Sequence, residues 1–156
     1  MIDYVLNGLP LHVLLVHLVV IVVPAAALCL LLSAFWPTAR RRLGIVTPLV
    51  ALVGLVAVPF TTAAGEWLQA RVGATPLIER HASLGPMLLP WAIAVFVVAS
   101  ALWLWHRVDP ALPRPARIVA LIVLDTAAVV AAVGSVILVV LIGESGSAAV
   151  WTGSFL

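Results

Sequence analysis

The chain is poor in charge. Acidic and basic residues make up 9% of its 156 positions, against roughly 25% in a soluble domain. Lysine is absent, and eight arginines against six acids leave a net charge of +2, so nothing suggests nucleic acid as a partner. The single cysteine, Cys29, excludes an intrachain disulfide and any CxxC metal motif; it reads as packing sulfur. No serine or cysteine stands beside a base in a local nucleophile motif, and nothing resembles a hydrolase. The opening MIDYVLNG has an acid and no base, which argues against a removable signal peptide and for a first apolar segment that stays.

What the chain does have is hydrocarbon: 65% of residues are hydrophobic and the mean hydropathy is +1.28. Four apolar runs, about 9–35, 45–64, 84–105 and 117–143, each reach the ~20 residues that cross ~30 Å of hydrocarbon at 1.5 Å per residue. Their apolar character is continuous rather than alternating, which excludes a transmembrane barrel. The expectation is an all-α, four-helix membrane bundle, residues 1–156 forming one domain.

Arginines set the expected orientation. PTARRRL carries Arg40, Arg41 and Arg42, and HRVDPALPRPAR carries Arg107, Arg114 and Arg117, whereas the middle connection holds only Arg71 and Arg80. The positive-inside rule places the first two connections in the cytoplasm, and residues 65–82 and both termini outside. Phe35, Trp36, Trp103 and Trp105 then mark the inner interface, and Trp67 and Trp151 the outer one. Pro24, Pro48, Pro59, Pro86 and Pro90 predict modest kinks. Ala127, Ala128, Ala131, Ala132, Gly134 and Ser135 form a small-residue face on the last span where a partner helix can approach, as in self-association. The two halves show no matching motifs.

Polar residues gather at the outer end. His12 and His17 lie at the start of span one, Thr61, Thr62 and Glu66 at the end of span two, His81 at the opening of span three, and Glu144 after span four in Gly143-Glu144-Ser145-Gly146. Ionisable groups at membrane depth are costly and mark a functional site by default. On an ideal helix His12 and His17 stand about 140° and ~7.5 Å apart, so the two do not grip one small ion together. One is then a direct ligand, and the other supports it, serves a second ion or lies on a proton path. His17 and His81 are the expected ligands, with His12 in the supporting role. Elsewhere, His106 beside Arg107 reads as interfacial. Asp125 lies about 28 Å along the helix from Glu144, a candidate for pairing with a threonine or an inner arginine, for protonation through burial, or for a proton path.

The H-x4-H of His12, Val16 and His17, the histidine His81 opening span three, and the tail Gly143, Ser145, Gly146, Val150, Trp151 resemble the bacterial four-span membrane proteins grouped as domain of unknown function 2231. The resemblance covers essentially the whole chain and implies residence in the bacterial cytoplasmic membrane. In that family the position of Glu144 is commonly histidine. Some relatives are joined to Rieske-type iron-sulfur domains, which implies a redox setting and membrane redox proteins as partners. The family name assigns no activity, so whether the chain is an enzyme stays open.

Three functional readings follow. The first is a transition-metal site of His17, His81, Glu144, His12 and Glu66 at the outer end, taking Zn, Fe or Cu. The second is a b-type haem between His17 and His81, with Arg71 and Arg80 meeting the propionates. In the third the chain is an accessory subunit of a larger membrane complex with no cofactor. A transporter is disfavoured, because one protomer offers no continuous polar path.

Overall fold

The computed structural model describes residues 4–152. The terminal residues, whose outward placement is expected above, lie outside that range. The chain opens on a two-stranded antiparallel hairpin, β1 (Val5–Leu6) and β2 (Leu9–Pro10). Its turn is Asn7-Gly8, with φ of 51° and 80°, the pairing that twists with the strands it joins. Helix α1 (Leu11–Phe35) follows directly. Then come the short α2 (Pro37–Leu43), α3 (Val46–Val72), α4 (Pro76–Leu84), a single 3-10 turn at Gly85–Met87, α5 (Leu88–Val108) and α6 (Arg114–Trp151).

Four helical segments are long and apolar enough to span: α1, α3, the α4–α5 unit and α6. The helices outrun the hydrophobic runs that predicted them. α3 continues past residue 64 to Val72, and α6 reaches Trp151, since hydrogen-bonded helix needs no apolar side chains to persist into polar sequence. PTARRRL, expected as a connection, winds into α2 with Pro37 at its first position, where proline's missing N–H costs nothing. The third span, Pro76–Val108, is one helical unit in which the 3-10 turn at Gly85–Met87 joins α4 to α5.

Each of α1 and α5 packs against both α3 and α6, and the two meet each other far less. The arrangement is a square in which α1 and α5 are diagonal. Ala26, Leu30, Ala51, Val95, Ala99, Leu102, Ala128 and Ala131 pack its centre toward the arginine-rich end. Val19, Val23, Val58, Leu88, Ala92 and Val139 pack it toward the other. Outside, Ile21, Val56, Val97, Val123 and Val140 are exposed in the free chain, an apolar jacket suited to lipid tails. A buried Ser33–Thr47 hydrogen bond of 2.9 Å ties α1 to α3, polar glue of the kind helices use in hydrocarbon.

The small-residue face of α6 is spent inside the chain. Ala128, Ala131, Ala132 and Ser135 are buried in the bundle. Gly134 lies under the Trp91 indole so closely that a Cβ there would fall 1.9 Å from Cζ3. The close approach that these residues predict is made by α5.

Candidate functional site

His12 sits on the first turn of α1, and its ring reaches across to α3, where Nδ1 lies 3.0 Å from the Thr61 carbonyl. His81 sits on α4 and reaches α6, with Nδ1 3.1 Å from the Ile142 carbonyl and 3.1 Å from Ser145 Oγ. A carbonyl only accepts, so Nδ1 carries a proton in both rings, and in the neutral form of each imidazole the lone pair resides on Nε2. Thr61 and Ser145 turn their own hydroxyls back to Ala57 and Ile142 carbonyls at 2.7 Å and 2.9 Å.

The two rings face each other, with centroids 6.1 Å apart and planes at 79°. Both line a cavity of about 50 Å³, whose other walls include Val16, Val19, Val58, Leu88, Val139 and Ile142. At roughly 10–15 Å³ of such volume per water, the space suits an ion with a few small ligands. Two imidazoles thus meet at one largely apolar cavity from helices on opposite corners of the square.

This changes the expected ligand set. The pairing of His17 with His81 does not form: His17, about 140° around α1 from His12, is exposed and turns Nδ1 back to the Val13 carbonyl of its own helix at 2.5 Å. Glu66 and Glu144 are exposed at the ends of α3 and α6. Among the described residues, no group of three or more His, Cys, Asp or Glu side chains gathers to hold a metal ion. The five-residue site of His17, His81, Glu144, His12 and Glu66 therefore does not assemble. Arg71, expected near a haem propionate, instead stacks 3.5 Å over Trp67 and donates to its carbonyl at 3.1 Å. Arg80 is exposed on α4.

Asp125 lies half-buried at the other end of the bundle, within electrostatic reach of Arg40 and His106.

Sequence reasoning missed Gly65 altogether, and named Gly146 only as part of the tail motif, not as the residue against His81. A Cβ on Gly65 would lie 3.0 Å from His12 Cε1 and Nδ1, and one on Gly146 would lie 3.0 Å from His81 Cε1 and 3.1 Å from Nδ1. Each glycine stands four residues after the carbonyl its histidine meets, Thr61 and Ile142. A glycine at the end of an apolar run is the available cue, but nothing local says which ring it faces.

No match was found among curated proteins or solved structures. The family described as predicted membrane protein (DUF2231) matches residues 8–155. That range spans all four helices and both histidine seats, and the chain belongs to this family of membrane proteins.

Proposed function

We propose that this multi-pass protein holds one transition-metal ion between His12 and His81. The observation that carries the reading is the tautomer pair: each imidazole gives Nδ1–H to a main-chain carbonyl and keeps Nε2 free beside a shared cavity. Metal-bound histidines hold their second nitrogen in this way, which orients the ring and raises its basicity. Two nitrogens each ~2.0–2.1 Å from one ion, in rings whose centres lie about 1 Å further back, set centroids about 5 Å apart at a tetrahedral angle and about 6 Å apart at a nearly linear one. The observed separation is 6.1 Å. Imidazole donors suit Zn, Fe and Cu, and with only two protein ligands the ion keeps open positions for water or an exchangeable ligand.

A b-type haem is the second reading, and the donor count favours it: two axial imidazoles are all a haem iron asks of the protein. The cavity of about 50 Å³ argues the other way, since a macrocycle enters only if the valine wall opens toward lipid. Elemental analysis and an absorption spectrum of the detergent-purified protein decide. One equivalent of metal without a Soret band supports the ion, and a Soret band supports haem. Neither leaves an accessory subunit, with the two histidines as internal hydrogen-bond donors.

The site is proposed to face away from the cytoplasm in the bacterial cytoplasmic membrane, because the opposite end carries the arginine-rich connections. An Ala74→Cys substitution in a Cys29→Ser background should react with an impermeant thiol reagent in intact cells. Labelling only after lysis would reverse the orientation.

A further inference from the structure

The two histidine seats are copies of one another. In the first hairpin a histidine on the entering helix α1 donates to Thr61 and lies against Gly65 on the returning helix α3. In the second, a histidine on the entering unit α4–α5 donates to Ile142 and lies against Gly146 on α6. The offset from carbonyl to glycine is four residues in both, so one helical turn presents acceptor and gap on the same face. The two ring atoms nearest the glycine are also the same, Cε1 and Nδ1, followed by Cγ in His12 and Nε2 in His81. The packing repeats the relation, each entering helix touching both returning helices. Two hairpins of like direction relate through an axis along the membrane normal, the parallel-repeat arrangement of some transporters.

We infer that Gly65 and Gly146 are the positioning residues of a two-fold site, each hairpin supplying one imidazole and its seat to a single shared ion. The inference rests on the metal reading for its ligand, and on geometry alone for its seats. Any side chain at either glycine must displace an imidazole that is already committed to a carbonyl. At 3.0 Å an added methyl needs a shift of a few tenths of an ångström, close to the ~0.5 Å tolerance of a built site. A branched side chain needs far more. Alanine is also the better helix former, so its effect separates from folding.

The test uses the full chain in detergent, labelled with 15N-histidine, as wild type and as the variants Gly65→Ala, Gly146→Ala, Gly65→Val and Gly143→Ala. Gly143 is the control, with no atom near its added Cβ and three residues from Gly146 on the same helix. In metal-free wild type the nitrogen shifts should report Nδ1–H for His12 and His81. Gly65→Ala should perturb His12 alone, and Gly146→Ala should perturb His81 alone. Each should weaken Zn or Cu binding about 10-fold, in the range of outer-sphere changes at metal histidines. Gly65→Val should abolish it, and Gly143→Ala should match wild type, at one ion per chain. If both alanine variants match Gly143→Ala in shifts and affinity, the inference fails. A folded wild type that binds no metal overturns the metal reading, while the nitrogen shifts still decide the seats. Should Gly65→Ala fail to fold, Gly146→Ala reads the same question in the other hairpin.

Discussion

Histidine serves opposite ends of this bundle in opposite protonation patterns. At one end His12 and His81 meet carbonyls, which only accept, so Nδ1–H is spent and Nε2 is free. At the other end His106 Nδ1 lies 3.4 Å from Arg40 Nη1. Guanidinium only donates, so there Nδ1 is the acceptor and Nε2 carries the proton. The His12–His81 cavity of about 50 Å³ is walled by Thr61 and Thr62 as well as valine and leucine, and a groove of about 250 Å³ at the arginine end, between Leu32, Trp36, Thr38, Ala39, Arg42 and Leu43, does not include His106. The arginine end also holds the Arg117–Asp109 ion pair at 2.5 Å. Arg40 itself is a structural clamp, its Nε 2.6 Å from the Ser33 carbonyl and its Nη2 2.5 Å from that of Ala34, at the end of α1. The partner, more than the side chain, determines what an imidazole can do.

The sharpest way to break this comparison is to delete histidines one at a time. His12→Ala or His81→Ala leaves a single imidazole and should abolish metal retention through purification. His106→Ala and His17→Ala should retain the wild-type equivalent, measured by elemental analysis. Loss at His17 with retention at His12 would overturn the site in favour of the other histidine of the H-x4-H pair.

That pair also shows how much was legible in the sequence. Continuous apolar runs pointed to four spans, which follow from composition, and the cost of ionisable groups in hydrocarbon pointed to one end of the bundle, where only His12 and His81 of the five expected residues come together. The 140° between His12 and His17 correctly separated the two, but helical phase alone does not reveal which face turns inward. That depends on α3 presenting the Thr61 carbonyl above a glycine, a contact 49 residues away along the chain. The glycine seats and the relation between the hairpins were invisible for the same reason. Their likeness lies in a carbonyl and a missing Cβ, which leave no shared side-chain motif: TTAAG in one hairpin corresponds to IGESG in the other.

Between the two ends, Gly134 tests whether the α5–α6 contact is as tight as the site is delicate. A methyl there would fall inside the Trp91 ring, 1.9 Å from Cζ3 and 2.2 Å from Cη2. Gly134→Ala should therefore destabilise by about 1–3 kcal/mol through overpacking. This outcome opposes the gain expected from helix propensity alone, and thermal unfolding in detergent measures it. A midpoint equal to wild type would mean that the indole is free to move.

At the arginine end the expected effect is smaller. Arg40→Gln removes the guanidinium from two carbonyls that close α1, worth about 1 kcal/mol in a half-buried setting. The thermal midpoint should fall slightly, with metal content unchanged. A change in metal content would couple two ends that the structure keeps apart.

The smallest effect belongs to Glu144, where the sequence pointed most directly and the structure answers otherwise. On α6, at about 100° per residue, Glu144 leaves the helix roughly 200° from Gly146 and 100° from Ser145. Ser145 is buried and Gly146 seats His81, whereas Glu144 is exposed, its carbonyl accepting from Ser147 Oγ at 2.9 Å. Its carboxylate therefore lies off the face that meets His81. Glu144→Ala should leave metal content and affinity as in wild type. Glu144→His restores the residue expected from the family resemblance, yet should add no ligand to the shared ion, since the new ring would start from the same outward face. Titration of Zn or Cu into that variant should still saturate at one equivalent. Tighter binding at unchanged stoichiometry would draw residue 144 into the site, and a second equivalent would place another ion at this end of the bundle.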